Sequence, residues 1–380
     1  MSPTPVQIIF FASAGVIVYS YAIYPLLLAL APARRCEPSG VPISGWPSVS
    51  ILISVYNEEK HITQRIENLL ALDYPNDKLE ILIGSDGSSD HTNELVRKYA
   101  DARVQLHAFE QRRGKSAVLN RLVPQAHGEL LVFSDANSMF AQDALCKLVR
   151  HFADPGIGGV CGRLLFSENA NQTKESSYWK LETYMKGRES ALDSCLGANG
   201  AIYAIRKSHF PLFPDNTIVD DFVIGMLVRE KGLRVIYDAD AVAIEDSPPS
   251  VGHEMTRRIR IGAGDFQALG LCWRSLLPWR IRGFHSFAFW SHKVLRWLAP
   301  FAIIVALAAN IALRSRPLFA EMLAAQLTFY TLALVGVLRA RTSPLFSVPH
   351  YFVSINLALL FGFYRFITRT QQTAWKRTVR

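Results

Sequence analysis

The sequence predicts an α/β domain built on a parallel sheet and flanked on both sides by membrane-spanning helices. Between about residues 47 and 248, short apolar runs alternate with stretches of helical period, which is the pattern of parallel strands joined by helices. On either side of that region lie apolar segments that are long enough to cross about 30 Å of hydrocarbon. These two observations together predict a globular domain held at a bilayer surface.

The composition excludes an ordinary soluble enzyme. Of the 380 residues, 50% are hydrophobic and 19% are charged, which fits one soluble domain plus a few spans. The formal net charge of +9 is compatible with a nucleic-acid partner, but the Lys and Arg residues form no single long basic block. They cluster beside the apolar segments, so we expect membrane lipids and a substrate diphosphate as their partners, and no nucleic acid. Protein partners are not predicted.

The elements of the central region follow one another at regular intervals. The predicted strands are residues 49–55, 79–83, 104–107 and 130–133, and the predicted helices are residues 62–72, 92–99, 115–123 and 222–230. Ligands of a parallel sheet bind beyond the carboxyl ends of its strands. Asn57, Asp86 and Asp135 each follow a predicted strand, which predicts that they lie along one binding edge.

The apolar run at residues 6–30 is uncharged and is followed by Arg34 and Arg35. It lacks the positive start and the small-residue cleavage site of a secretory signal, so we expect a signal-anchor helix whose C-terminal end faces the cytoplasm. Three further apolar segments are residues 297–313, 317–338 and 345–366. The first of these is short enough to be a re-entrant or tilted helix, so two or three C-terminal spans are expected.

Seven short motifs occur in order along the chain. They are Ser54-Val55-Tyr56-Asn57-Glu58, Ser85-Asp86-Gly87-Ser88-Ser89-Asp90, Arg113-Gly114-Lys115, Ser134-Asp135-Ala136-Asn137, Gly197-Ala198-Asn199-Gly200, Val219-Asp220-Asp221 and Arg257-Arg258-Ile259-Arg260. Their order and spacing resemble those of family 2 glycosyltransferases, and the chain looks like the cellulose synthase/hyaluronan synthase-like branch. The resemblance covers about residues 47–270.

This resemblance implies a glycosyltransferase A-type fold, with the Rossmann-like mixed sheet of nucleotide-diphospho-sugar transferases. It implies an enzyme that moves a sugar from a nucleotide-diphosphate donor, with UDP expected, to a saccharide or lipid-linked acceptor. We expect an integral protein of a bacterial-type inner or plasma membrane. Its catalytic domain is expected in the cytoplasm, because sugar nucleotides are made there. The predicted divisions are a signal-anchor (1–33), a cytoplasmic catalytic domain (47–250), an Arg-rich amphipathic interfacial segment (251–290), a transmembrane region (291–367) and a basic tail (368–380).

The donor site is predicted from the chemistry and from the resemblance together. Breaking a sugar–diphosphate bond develops negative charge, which a divalent cation and basic side chains neutralise. We expect Asp135 and Asn137 to bind Mg²⁺ or Mn²⁺ through oxygen atoms, although Asn137 replaces the usual second Asp and a helix-capping turn is the alternative. The other predicted donor-binding residues are Tyr56, Glu58, Asp86, Lys115, Arg257, Arg258 and Arg260. Asp86 is expected at the uridine, with an Asx-turn as the alternative.

The acceptor needs a general base, and the resemblance assigns this role to Asp221. Adjacent Asp220 is expected to bind the acceptor and to raise the proton affinity of Asp221 by like-charge repulsion, with helix capping as the alternative. Gly197, Asn199 and Gly200 are predicted to approach the sugars through the backbone. Because no enzyme nucleophile is evident, single displacement with inversion is the predicted stereochemistry.

Ile261 stands where the resemblance leads one to expect a Trp that stacks on the acceptor sugar. We therefore expect addition of one or few sugars, unless Phe266 or Trp273 replaces that ring. Trp273, Arg274, Trp279, Arg280 and Arg282 are predicted to form the amphipathic stretch at headgroup depth. The rival interpretations are a catalytically inactive, membrane-anchored sugar-nucleotide-binding regulator and a transporter or scaffold built on the helices.

Overall fold

The computed structural model describes residues 3–32, 45–166, 175–246, 251–280, 283–339 and 343–372. Arg34, Arg35, Arg282 and the tail beyond residue 372 therefore lie outside the described residues. The first apolar segment is helical throughout and consists of α1 (Pro5–Val18), a π-helical turn (Tyr19–Ile23) and α2 (Tyr24–Leu30). Its residues match the predicted first span.

Strands and helices then alternate as the sequence pattern predicts. In chain order they are β1 (Val49–Val55), α3 (Ile62–Leu70), β2 (Leu79–Asp86), α4 (Thr92–Arg97), β3 (Val104–Phe109), α5 (Lys115–Leu122) and β4 (Leu130–Ser134). β1 is rich in Val and Ile and is almost wholly buried, because helices cover both faces of the sheet around it. The predicted elements of this half are confirmed, and their ends shift by at most three residues.

The second half of the domain contains shorter and less regular elements. They are β5 (Met139–Phe140), α6 (Ala144–Val149), β6 (Ile157–Phe166), α7 (Glu175–Leu192), β7 (Tyr203–Arg206), α8 (Asp220–Glu230) and β8 (Arg234–Glu245). Of these, the sequence predicts only α8, which begins two residues before the predicted start. Asp220 and Asp221 therefore occupy the first turn of α8, where a carboxylate interacts favourably with the helix dipole.

All the strands named above form one sheet in the order β3-β2-β1-β4-β7-β6-β8-β5. The expected parallel arrangement holds for β3, β2, β1 and β4, but β7 runs antiparallel to both of its neighbours. The sheet is therefore mixed, which confirms the fold that the resemblance implies and corrects the wholly parallel sheet that the strand pattern alone suggests. Because β1, β2 and β4 are parallel, the residues that follow them meet at one edge, as predicted for Asn57, Asp86 and Asp135.

The C-terminal helices are longer than the sequence suggests. They are α9 (Val251–Leu271), α10 (His285–Ala288), which continues through a π-helical stretch (Phe289–Val294) into α11 (Leu295–Ala312), then α12 (Pro317–Arg339) and α13 (Pro344–Ile367). Within the described residues, four helices are long and apolar enough to cross a membrane: Pro5–Leu30, His285–Ala312, Pro317–Arg339 and Pro344–Ile367. The expectation of a short segment at 297–313 is wrong, because its helix begins at His285 and polar side chains conceal that start.

The membrane helices and the domain share one hydrophobic core. Leu52 of β1 belongs to the same cluster of buried residues as Leu28 of α2, Trp297 of α11 and Leu359 of α13. The opposite face of β1, at Ile51, packs in a separate cluster with α3 and α6. One face of the sheet therefore packs toward the candidate membrane helices.

Buried charges reinforce this junction. Glu182 of α7 lies 3.1 Å from Lys293 Nζ and also pairs with Arg296 and His292, all from the second candidate span. Two turns further along α7, Glu189 Oε1 accepts a hydrogen bond of 2.7 Å from the Tyr24 hydroxyl and lies 2.7 Å from His292 Nδ1. We call these six residues the junction cluster. Removing one partner from such a buried network leaves an uncompensated charge, which is strongly destabilising.

Candidate active site

The loops after β1 and β2 are bound to each other. Asn57 adopts a positive φ of 54°, and its side-chain oxygen accepts a hydrogen bond of 2.8 Å from the backbone N–H of Ser89. The Glu58 N–H donates to Thr92 Oγ1 at 2.8 Å, and the Glu58 carboxylate lies 3.3 Å from His61. The Tyr56 ring is covered by the Arg112 guanidinium, which lies 3.6 Å from the ring centroid. The predicted nucleotide residues Tyr56 and Glu58 thus lie in the loop after β1, which is bound to the loop after β2.

Asp86 ends β2 and is buried. Its two oxygens accept hydrogen bonds from the backbone N–H groups of Arg113 at 2.7 Å and Gly114 at 2.8 Å. These bonds fix the loop before α5 and place Lys115 at the helix start. An Asx-turn would instead bond to the backbone two residues on, so that alternative is wrong. Each carboxylate oxygen retains a second lone pair, and the predicted contact with a nucleobase stays a prediction. Asp90 accepts from Thr92 N at 3.0 Å, two residues on, so the Asx-turn of this loop is at Asp90, and the N-cap of α4 is His91.

Lys115 of α5 lies at the centre of a group of carboxylates from two other elements. Its Nζ is 2.7 Å from Asp135 Oδ1, at the end of β4, and 3.7 Å from Asp220 Oδ2, at the start of α8. We call Lys115, Asp135, Asp220 and Asp221 the acidic cluster. The four residues are separated by up to 106 positions in the chain, and the fold brings them to one point.

Gly200 shows how tightly this cluster closes. A Cβ atom at this position would lie 3.3 Å from Asp221 Oδ2 and 3.4 Å from both Asp135 Oδ2 and Lys115 Nζ. The Gly200 N–H donates to Asp221 Oδ2 at 2.7 Å. A side chain here would therefore press against the charged groups, which would have to move by a few tenths of an ångström to admit it.

The rest of the predicted acceptor loop is held against α8. Gly197 has a φ of +71°, and a Cβ there would lie 2.5 Å from the Phe222 ring. The Ala198 N–H donates to the Asp221 carbonyl at 3.2 Å. The Asn199 side-chain oxygen accepts from Ala201 N at 3.3 Å. These contacts fix the backbone beside Asp221, as the prediction of a backbone approach requires.

The mutual proximity of these charges changes their protonation. Burial raises the pKa of Asp220 to about 6; Lys115 opposes this shift, whereas Asp221 and Asp135 add to it. Burial lowers the pKa of Lys115, but the carboxylates of Asp135, Asp220 and Asp221 outweigh it, so the net pKa is raised. Lys115 is therefore a permanent cation, and Asp220 titrates in the range where many enzymes operate.

The site fits a divalent cation only in combination with a substrate. Among the described residues, no group of three or more His, Cys, Asp or Glu side chains could hold a metal ion. Mg²⁺ usually binds one or two carboxylates together with substrate phosphates, and Asp135 can supply one carboxylate. Asn137 Nδ2 is buried without a hydrogen-bond partner. Rotation of that amide would present its oxygen instead, so Asp135 and Asn137 fit the predicted role.

The three arginines of α9 point to different surroundings. Arg260 is buried, and its pKa is lowered by burial against the opposing effect of Asp220, Asp135 and Asp221. Arg258 donates to Glu254 Oε1 at 2.7 Å and to the Tyr351 hydroxyl at 2.8 Å. Arg257 lines a cavity beside Arg258. Only Arg260 thus faces the acidic cluster, and the predicted donor role of Arg257 and Arg258 stays a prediction.

A cavity of 280 Å³ opens next to the acidic cluster, between the domain and the candidate membrane helices. Aromatic side chains form much of its wall: Tyr21, Phe166, Trp179, Phe222, Trp297 and Tyr351. Ile261 lines it as well. Phe266 does not replace the missing Trp, because it is buried and packs 4.9 Å from the Phe363 ring. Trp273 is half exposed beside Arg274 and is absent from the cavity wall described here.

Asp265 is a residue of the cavity wall that the sequence analysis does not predict as a site residue. It lies on α9 one turn after Ile261 and lines the cavity. The available signal was a carboxylate in the otherwise small and apolar stretch Gly262-Ala263-Gly264-Asp265-Phe266. Trp179 and Trp297 are likewise not predicted as site residues, because they come from α7 and from a candidate span that only the fold brings to the cavity.

A mixed sheet with helices on both faces, and polar clusters beyond β1, β2 and β4, defines the class of glycosyltransferase A-type domains. Residues 50–210 match the family model described as glycosyl transferase family 2. A solved mannosyltransferase from Pyrobaculum calidifontis, in complex with GDP-Man and Mn²⁺, has the same fold, with a TM-score of 0.73 over 95% of this chain and 97% of that chain. Its sequence is 22% identical.

Two curated relatives match the central region. The poly-beta-1,6-N-acetyl-D-glucosamine synthase of Staphylococcus aureus (strain COL) is 28% identical over 238 residues, which cover 58% of this chain and 55% of the relative. The beta-monoglucosyldiacylglycerol synthase of Synechocystis sp. is 30% identical over 167 residues, which cover 43% of this chain and 33% of the relative. The chain thus spans about half the length of the first relative and a third of the second.

Proposed function

We propose that this protein is an inverting glycosyltransferase that moves a sugar from a UDP-sugar to a saccharide or lipid-linked acceptor at the cytoplasmic face of a bacterial-type plasma membrane. The convergence of Lys115, Asp135, Asp220 and Asp221 around Gly200 carries this proposal. It supplies, within one small space, a cation for a diphosphate, a carboxylate for a metal ion and a carboxylate for a base.

In the proposed step, the acceptor hydroxyl gives its proton to Asp221 while its oxygen forms a bond to the anomeric carbon of the donor. The bond from that carbon to the diphosphate oxygen breaks, and UDP leaves with the bonding electrons. Lys115 and Arg260 stabilise the charge that develops on the diphosphate. A bound Mg²⁺ or Mn²⁺, held by Asp135 and Asn137, would supply further Lewis-acid stabilisation. Attack from the side opposite the leaving group inverts the anomeric centre.

The names of the two relatives state different products, poly-beta-1,6-N-acetyl-D-glucosamine for one and beta-monoglucosyldiacylglycerol for the other. We propose addition of one or few sugars here. A cavity of 280 Å³ is just below the usual range for ligand sites, about 300–1,000 Å³, and leaves little space for a long chain. Mass spectrometry of the product under excess donor tests this, and a ladder of long polymer would contradict it.

The activity is tested with the full chain in detergent and a panel of UDP-sugars, with GDP-mannose as a separate arm. Release of nucleoside diphosphate is measured with and without Mn²⁺. We expect turnover of at least one UDP-sugar and loss of turnover in excess chelator. Tight donor binding without any turnover or product would instead support an inactive sugar-nucleotide-binding regulator. Labelling of engineered cysteines in the domain from either side of sealed vesicles tests the cytoplasmic orientation.

A further inference from the structure

Asp265 is a carboxyl group for which the proposed reaction has no use. It lines the cavity, yet within the described part of the chain its side chain makes no hydrogen bond or ion pair. A polar group that is enclosed without a partner is unfavourable, and native proteins usually satisfy such groups. A ligand that brings its own hydrogen-bonding groups would remove this deficit.

The environment of Asp265 suits a neutral polar ligand. Burial raises the pKa of Asp265 to about 8; Lys293 opposes this shift, and Asp221 and Glu182 contribute to it. At neutral pH the carboxyl group is therefore largely protonated, and it can both donate and accept a hydrogen bond. Hydroxyl groups, which also do both, are complementary to it. Lys293 is paired with Glu182 at 3.1 Å, so its charge is already compensated.

Nine of the nineteen residues that line the cavity belong to the candidate membrane helices. Tyr21 belongs to the first of them, Trp297 to the second, and Tyr351 and Leu359 to the fourth. An apolar group that enters between these helices leaves hydrocarbon for a similarly apolar wall. The occupant that fits is therefore an amphiphile that is already dissolved in the bilayer.

The cavity also adjoins the proposed general base. Phe222, which lines the cavity, directly follows Asp221, and Ala198 binds the Asp221 carbonyl on the other side. A head group in the cavity would thus lie beside Asp221, where the proposed reaction removes a proton. The volume of 280 Å³ is enough for a small head group.

We propose that this cavity is the acceptor site for a membrane lipid with free hydroxyl groups in its head, and that Asp265 binds those hydroxyl groups and directs one of them toward Asp221. This inference rests on the proposed function, since it names the acceptor of that reaction. The lipid chain would lie along the wall formed by Tyr21, Trp297 and Leu359.

Two probes test it with the full chain in nanodiscs of phosphatidylcholine: a photoreactive diacylglycerol for binding, and dioleoylglycerol or its monoglucosyl derivative for transfer. We expect the probe to crosslink to peptides of α9 or α13. Asp265→Leu should reduce crosslinking and raise the KM for the lipid about tenfold, as expected for one lost hydrogen bond. Asp265→Asn, which retains an amide, should cause a smaller change. The KM for the donor should stay unchanged in both variants.

Asp143→Asn serves as the control, because Asp143 is an exposed carboxyl group paired with Lys147 and lines no part of the cavity. Thermal unfolding of each variant shows whether it is folded, and Asp265→Asn keeps the test valid if the leucine variant is not. Transfer to a soluble oligosaccharide without crosslinking at α9 or α13 would overturn this inference and leave the proposed function intact. Crosslinking that depends on Asp265, in a protein that turns over no donor, would instead contradict the proposed function. Unchanged crosslinking in both Asp265 variants would also overturn the inference.

Discussion

Lys115 Nζ lies 2.7 Å from Asp135 Oδ1, so the lysine predicted to meet the donor phosphates and the carboxylate predicted to hold the metal are ion-paired with each other. Either ligand alone would have to separate this buried pair. A metal ion and a diphosphate that arrive together provide each partner with a new counter-charge. Binding of the two ligands should therefore be cooperative.

This pairing predicts the behaviour of Lys115→Met. Removing the ammonium group leaves Asp135 without its partner, so Mn²⁺ should bind more tightly in the absence of nucleotide. UDP binding should weaken, because a cation for the diphosphate is lost. Titration of Mn²⁺ by electron paramagnetic resonance, with and without UDP, measures both effects. Equal Mn²⁺ affinity in wild type and variant would show that the pair does not limit metal binding.

Asp221→Asn should abolish transfer and preserve donor binding. The amide cannot accept a proton, and general-base catalysis typically contributes 10²–10⁴-fold to the rate. The amide oxygen still accepts the hydrogen bond from Gly200 N–H, so the loop should stay in place. UDP release and calorimetric UDP binding are the measurements. Turnover above about a tenth of wild type would remove the base role from Asp221.

Asp135→Ala should lose activity together with the enhancement of UDP binding by metal. Asn137→Asp should retain or strengthen metal binding, because it adds a charged oxygen at the position of a neutral one. Both variants are assayed by UDP binding across a Mn²⁺ titration. A large loss of metal binding in Asn137→Asp would assign Asn137 another purpose. Full wild-type activity in excess chelator would exclude metal dependence itself.

Gly200→Ala should lower kcat by about 10- to 100-fold, because displacement of catalytic groups by as little as 1 Å is enough for such losses. The added methyl group would lie within 3.4 Å of Asp221, Asp135 and Lys115. The backbone N–H that binds Asp221 is retained, so thermal stability should change little. Gly270→Ala is the matched control, since a Cβ there would meet nothing within 4 Å. Equal activity of the two variants would show that the gap beside Gly200 is not used.

The titration of Asp220 predicts a pH-dependent stability. Its pKa is raised from 3.8 to about 6 in the folded protein, so the native state binds more protons than the unfolded state between these values. Stability from this group is therefore present at low pH and is lost as pH rises through about 6. The Asp220→Asn variant does not lose stability in this way. The difference in Tm, variant minus wild type, should therefore be more positive at pH 8 than at pH 4.5.

Thermal unfolding of the purified protein at both pH values tests that prediction. Asp143→Asn is the control, because its carboxyl group is exposed and paired only at the surface. The groups around Asp220 that also carry charge are Lys115, Asp221, Asp135 and Arg260. A Tm difference between Asp220→Asn and wild type that is the same at both pH values would show that Asp220 is not the titrating group.

The sequence predicts the parallel half of the sheet because its strands are apolar runs with clear polar ends. Asp86 and Asp135 could be placed at one edge for the same reason. β5 and β7 could not be found, since runs of two and four residues carry no usable period. The change from parallel to antiparallel strand pairing at β7 depends on residues such as Phe133 and Tyr203, which are 70 positions apart in the chain.

The sequence predicts individual candidate site residues, but it does not predict which of them contact one another. Motif spacing indicates Lys115 and Asp135 separately, whereas their ion pair depends on the angle between α5 and β4. The cavity is a property of packing between distant helices, so Asp265 and Trp297 carry no local signal of it. The start of the second candidate span was concealed because His292, Lys293 and Arg296 lower its apparent hydrophobicity, and their partners on α7 are visible only in the fold.

The junction cluster has a practical consequence for anyone who wishes to produce this protein. Cutting the chain before His285 would strip Glu182 and Glu189 of their counter-charges and expose the face of the sheet that packs on Trp297. Cutting it after Leu30 would remove the Tyr24 hydroxyl that donates to Glu189. A truncated, water-soluble version is thus an unsuitable substitute for the whole chain, and exchange of its helices for those of another protein would fail for the same reason. A lipid environment should therefore be maintained from the first step of purification.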